Sequence, residues 1–166
     1  MATENLLSPS ITNRDALPSV KNNSCVKGGV KGAVEVINCG TGDLGSTYRF
    51  FSVPSNAVMT ELKLYSPDMG TGGLADVGLY DTTANGSAVV DADFFASAVD
   101  MKTAALNGSD ILHEAAVAFP IQKGNQPLWQ ALGLSSDPGK EYDVVLTTTE
   151  AFTSAGYVKL KAEYMI

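Results

Sequence analysis

The sequence predicts an all-β fold: an antiparallel jelly roll or β-sandwich with an extended N-terminal arm and one short helix. Three observations lead there. Runs rich in Val, Ile, Thr, Phe and Tyr are short, and several alternate apolar and polar side chains. Gly, Pro and Asn clusters punctuate them at close intervals. Strand-like and helix-like segments do not alternate, which excludes a parallel α/β sheet. Hydrophobic residues make up 45% of the 166, enough for one core and one domain.

Residues 1–30 stand apart as an arm, and residues 31–166 form the sandwich body. Pro9 and Pro18 interrupt the arm, Gly28-Gly29 close it, and no period of 3.6 or 2 persists there. In the body, residues 33–38 (AVEVIN) alternate and predict a first strand; residues 40–45 are a loop. Residues 47–53 (TYRFFSV) predict a second strand, stopped by Pro54. Residues 57–65 predict a third, with Val58, Leu62 and Leu64 on one face and Glu61 and Lys63 on the other. Residues 75–80 follow a loop containing Pro67, Gly70, Gly72 and Gly73, and Asn85-Gly86 is a turn signal.

Residues 92–101 fit strand or helix, and Asn107-Gly108 predicts a turn. Residues 114–122 (EAAVAFPIQ) predict a strand broken at Pro120. Residues 127–132 predict a short helix, with Pro127 at its first position and Gly133 at its end. After a turn at Asp137-Pro138-Gly139, residues 142–148 predict a strand. The last, 157–166, sets Val158, Leu160, Ala162, Tyr164 and Ile166 against Lys159, Lys161 and Glu163. The total is roughly eight strands, with no internal repeat of the kind a propeller or solenoid needs.

Net charge is −7 and charged residues are only 17%, which suggests that a partner covers part of the surface. Four basic and two acidic side chains lie in residues 1–32; seven basic and sixteen acidic ones follow. An acidic body argues against direct nucleic-acid binding, which needs a basic stripe. No apolar run is long enough to span a membrane, and the first residues lack the basic and apolar regions of a signal peptide. Synthesis in a cytosol and no membrane contact are the expectations. Cys25 and Cys39 read as two free, reduced thiols.

Motifs that carry chemistry are weak. Gly40-Thr41-Gly42-Asp43-Leu44-Gly45 spells a dinucleotide fingerprint, but a β-branched, aromatic run follows where a helix must begin, so it reads as an inter-strand loop. Ser24-Cys25-Val26-Lys27 matches S-x-x-K without the helix that pattern requires. His113 is the sole histidine, and no Ser, Asp or Cys pattern places a triad or zinc site around it. Asp91, Asp93, Asp100 and Asp110 lack the glycine and distal glutamate of an EF-hand loop and read as a solvated acidic edge. Phe50, Phe51, Phe94, Phe95, Trp129, Tyr142 and Tyr164 read as core rather than as a sugar-stacking platform. The expectation is no enzyme, no catalytic residues, no cofactor and no metal.

Residues 48–57 (YRFFSVPSNA), 62–66 (LKLYS), 75–81 (ADVGLYD), 93–100 (DFFASAVD), Leu128-Trp129, 139–146 (GKEYDVVL) and 155–158 (AGYV) together resemble small structural proteins of tailed bacteriophages. The pattern spans about residues 45–166 and is similar to head decoration, or cement, proteins with a jelly-roll body. The resemblance implies a virion structural protein on the outer surface of an icosahedral capsid. It would be made in the host bacterial cytoplasm and would stabilise contacts between capsomers. Its implied partners are the major capsid protein and neighbouring copies of itself, as dimer or trimer. The arm matches no motif of that family. Within it, Leu6, Leu7, Ile11, Leu17 and Val20 are the expected apolar anchors to capsid or neighbour, with Arg14 and Lys21 beside them. A carbohydrate-binding jelly-roll module and a tail-associated structural protein remain the alternatives, because the fold hosts many functions.

Overall fold

The structure, a computed structural model, describes residues 29–115 and 118–166. Eight antiparallel strands form two four-stranded sheets: β1 (Val30–Cys39), β2 (Thr47–Pro54), β3 (Val58–Ser66), β4 (Leu74–Asp81), β5 (Val89–Asp100), β6 (Leu106–Asp110), β7 (Glu141–Thr148) and β8 (Gly156–Met165). One sheet has the order β1-β8-β3-β6 and the other β2-β7-β4-β5. First pairs with last, second with seventh, third with sixth and fourth with fifth. That is a long hairpin wrapped into two layers, the strand order of a jelly roll.

Alternation explains the core. Along β8, Val158, Leu160 and Ala162 are fully buried, while Lys159, Lys161 and Glu163 point outward. Facing them from the other sheet are Val77 and Leu79 of β4 and Tyr142, Val144 and Leu146 of β7, also buried. Tyr164 is half-buried, and Ile166 lies beyond the strand with its side chain exposed. Cys39, at the end of β1, is buried as a free thiol, and burial pushes its pKa up to about 11.

Gly78 marks where two paired strands of one sheet, β4 and β5, crowd at a register shift. A Cβ there would collide with the backbone of Asp91 and Ala92, so β5 can cross β4 closely only over a glycine.

Four expectations need correction. The described residues of 114–122 are not in a strand. Ala115 N–H donates to the Phe95 carbonyl (2.9 Å), Phe119 is buried, and Pro120 precedes a 3₁₀ turn at Ile121–Lys123. Ala115 and Phe119 serve as a cover for β5, which overrides their strand propensity. Asn107-Gly108 is no hairpin turn; it lies inside β6, where Gly108 takes φ +84° beside the register shift between Leu64 and Tyr65. Val58 does not share a face with Leu62 and Leu64. A bulge between Met59 and Glu61 reverses the alternation, and Met59 is the residue turned into the core. Pro127 caps the four-residue helix α1 (Leu128–Ala131) from outside rather than opening it, with ψ 152°.

The ambiguous residues 92–101 fall almost wholly in β5, and Asn85-Gly86 closes a 3₁₀ turn with Gly86 in the left-handed region. Strand β1 starts at Val30, next to the expected boundary between arm and body. Residues 1–28 lie outside the described residues.

Candidate functional site

The expected anchors Leu6, Leu7, Ile11, Arg14, Leu17, Val20 and Lys21 lie outside the described residues, as do Cys25 and the Ser24–Lys27 pattern. The glycine-rich run 40–45 is the β1–β2 loop, followed at once by strand β2. His113 is half-buried. Its Nδ1 lies 2.9 Å from the Phe119 carbonyl, and its ring stacks on Phe119 at 4.8 Å. Phe119 in turn meets Phe94 at 5.0 Å and Phe95 at 5.9 Å, so the histidine closes an aromatic cluster.

The four aspartates do different work. Asp100 accepts from the Thr103 hydroxyl, which with the Lys102 and Thr103 amides at 2.9 and 3.0 Å holds its carboxyl below the usual range. Asp110 accepts from the Leu112 amide at 3.1 Å. Asp91 and Asp93 sit together on β5, and desolvation, then hydrogen bonding to Asp93, raises the Asp91 carboxyl. Among the described residues no three His, Cys, Asp or Glu side chains converge as a metal ion requires. Of the seven aromatics, Phe50, Phe94, Phe95 and Tyr142 are buried, while Phe51, Trp129 and Tyr164 are half-buried.

The outer face of the β2-β7-β4-β5 sheet carries a polar network that satisfies itself. Arg49 donates to the Asp143 carboxylate (2.6 Å), the Asp81 carbonyl (3.0 Å) and the Ser87 carbonyl (3.3 Å), and lies over the Tyr80 ring. Ser52 donates to Asp143 at 2.7 Å, and Tyr80 and Thr147 share a hydrogen bond of 2.8 Å. This arrangement pins the 82–88 turn to the sheet. A depression of about 310 Å³ beside it is lined by Pro54, Ser55, Asn56, Asp137, Gly139, Lys140 and Glu141. There too the groups are paired: Ser55 donates to Asp137, and Lys140 pairs with Asp81.

The other sheet presents a different surface. Lys161 bridges Glu61 and Glu163, each at 2.9 Å, and Lys63 reaches Glu61 at 2.6 Å. Those hydrogen bonds raise both lysines and lower Glu61. Lys159 lies over the Tyr65 ring at 3.7 Å. Beside this ladder of charged side chains runs an apolar strip on the outer side of β1 and the start of β8. Val30, Val34, Val36 and Tyr157 are 62%, 55%, 53% and 69% exposed. We take this face as the candidate contact surface.

Sequence reasoning missed the strip because it found the β1 alternation without knowing which side faces out. The available signal was Lys31 and Glu35 alternating with the valines, with both sets of positions unsuited to one buried face.

No protein-family model and no curated protein sequence matches the chain. Two solved structures share its fold. A chain from the capsid of Ralstonia phage GP4 aligns at TM-score 0.56 and 18% identity, covering 83% of this chain and 84% of that one. A chain from the cyanophage Pam1 capsid asymmetric unit aligns at TM-score 0.53 and 15% identity, covering 90% of this chain and 99% of that one. Among the described residues no helix is long and apolar enough to cross a membrane.

Proposed function

We propose that this chain is a virion structural protein: a decoration protein that binds the outside of a phage icosahedral head and ties neighbouring capsomers together, without catalytic activity. The observation that carries this reading is the eight-stranded body, whose fold is similar along most of its length to chains of two phage capsids. The body suits the task. Its polar clusters are internally paired, which makes a rigid block, and its β1-β8-β3-β6 sheet offers an outer face for contact. In this reading the partner is the major capsid protein, and the arm's apolar positions Leu6, Leu7, Ile11, Leu17 and Val20 add anchorage along the shell. Modest affinity per copy becomes firm attachment when many copies engage one lattice.

The test is add-back. Heads assembled without this chain are mixed with the purified full chain, and bound copies and the temperature of DNA release are measured. Saturable binding with a higher release temperature is expected; no binding to such heads contradicts the proposal.

A further inference from the structure

The two sheets have four edge strands, and three of them are blunted. β6 is five residues long and its pairing shifts register. β2 is bulged between Arg49 and Phe51 and ends at Pro54. β5 has three register shifts, and residues 111–115 lie along it: Ala115 N–H donates to the Phe95 carbonyl, and the Ser97 amide donates to Glu114 at 2.6 Å. β1 has none of these devices. It runs ten residues against β8 without one register shift, and among the described residues nothing pairs with its other edge. Its outward positions are the exposed valines 30, 34 and 36. Its only charges are Lys31 and Glu35, and a long, regular strand edge is what folded proteins avoid unless something pairs with it.

We propose that a second copy of this chain pairs with it, β1 against β1, antiparallel about a two-fold axis normal to the sheet. Opposed residues in such a pair lie on the same face, so the axis must pass through a residue, not between two. That leaves few registers. With Lys31 or Glu35 on the axis, like charges oppose each other. With Gly32 or Val34 on the axis, Lys31 or Glu35 faces Ala33. With Ala33 on the axis, Lys31 of each copy stands opposite Glu35 of the other, twice over, and Val30 opposite Val36. Lys31 and Glu35 are both exposed, and neither pairs with a described residue. The result is a continuous eight-stranded sheet whose two outer faces point the same way. The inference goes beyond the capsid reading and does not depend on it.

Sedimentation of the full chain tests it without any capsid. At about 100 μM the wild type sediments as a dimer, the affinity range a short strand-to-strand contact supports. Lys31→Glu and Glu35→Lys each weaken the dimer by about tenfold or more, since each converts two attractive pairs into two repulsive ones. The double swap Lys31→Glu/Glu35→Lys restores it. Both positions are exposed, so at dilutions where the wild type is monomeric the variants keep its thermal midpoint. Ala33→Cys, on the axis, gives a covalent dimer on oxidation well above that of the parent chain. A monomeric wild type overturns the proposal, and if its β1 amides resist hydrogen exchange, another segment of the same chain holds the edge. A dimer indifferent to all the charge variants, or no added crosslink at Ala33→Cys, overturns it equally.

Discussion

Phe119 is a buried ring packed on Phe94 and Phe95 and backed by His113. Phe119→Ala leaves a cavity that the surrounding rings cannot fill, at a cost of about 3–5 kcal/mol in denaturant unfolding. Gly78→Val tests the close crossing of β4 and β5. Overpacking against backbone there costs about 1–3 kcal/mol, and an unchanged midpoint would contradict the crowding described. Cys39 gives the pH dependence. Its folded pKa is raised, so its contribution to stability is intact below the unfolded value of about 8.5 and is lost as pH rises through about 11. Cys39→Ser should flatten that alkaline loss. At neutral pH the folded chain should react slowly with thiol reagents at this position and quickly once unfolded.

At the scale of elements, the sequence was readable where one face is buried and the chain is regular. The β8 alternation from Val158 to Ala162 announced both its strand and its buried side. Reading failed where local chemistry answers to tertiary context. Gly108 looks like a hairpin turn because Asn-Gly usually is one, yet here it supplies the positive φ of a bulge inside β6. Val58 was assigned to the wrong face because a bulge leaves no mark in the apolar pattern. Residues 114–122 read as a strand because Ala115 and Phe119, which cover β5, are apolar as a strand's inward residues would be. The candidate contact surface was less legible still, since outward and inward valines look alike until β8 fixes the register of β1. The Lys161 ladder makes its own prediction. Exposed ion pairs contribute little to folding, so Lys161→Ala should leave the thermal midpoint near wild type. If this face meets a partner, the same substitution should weaken attachment to heads.

For the whole molecule, the fold class was legible from turn spacing and the absence of strand–helix alternation, and the jelly-roll strand order agrees. Function was less so, because the residue patterns carry no catalytic signature and one fold hosts many functions. The proposed lattice role is most directly tested by counting. Quantitative mass spectrometry of purified virions, with heads and tails separated, gives the copies of this chain per copy of the major capsid protein. A decoration protein should appear in the head fraction at a ratio near one or a simple fraction of it, as symmetry requires. A handful of copies per particle, recovery with tails alone, or absence from particles would contradict the account.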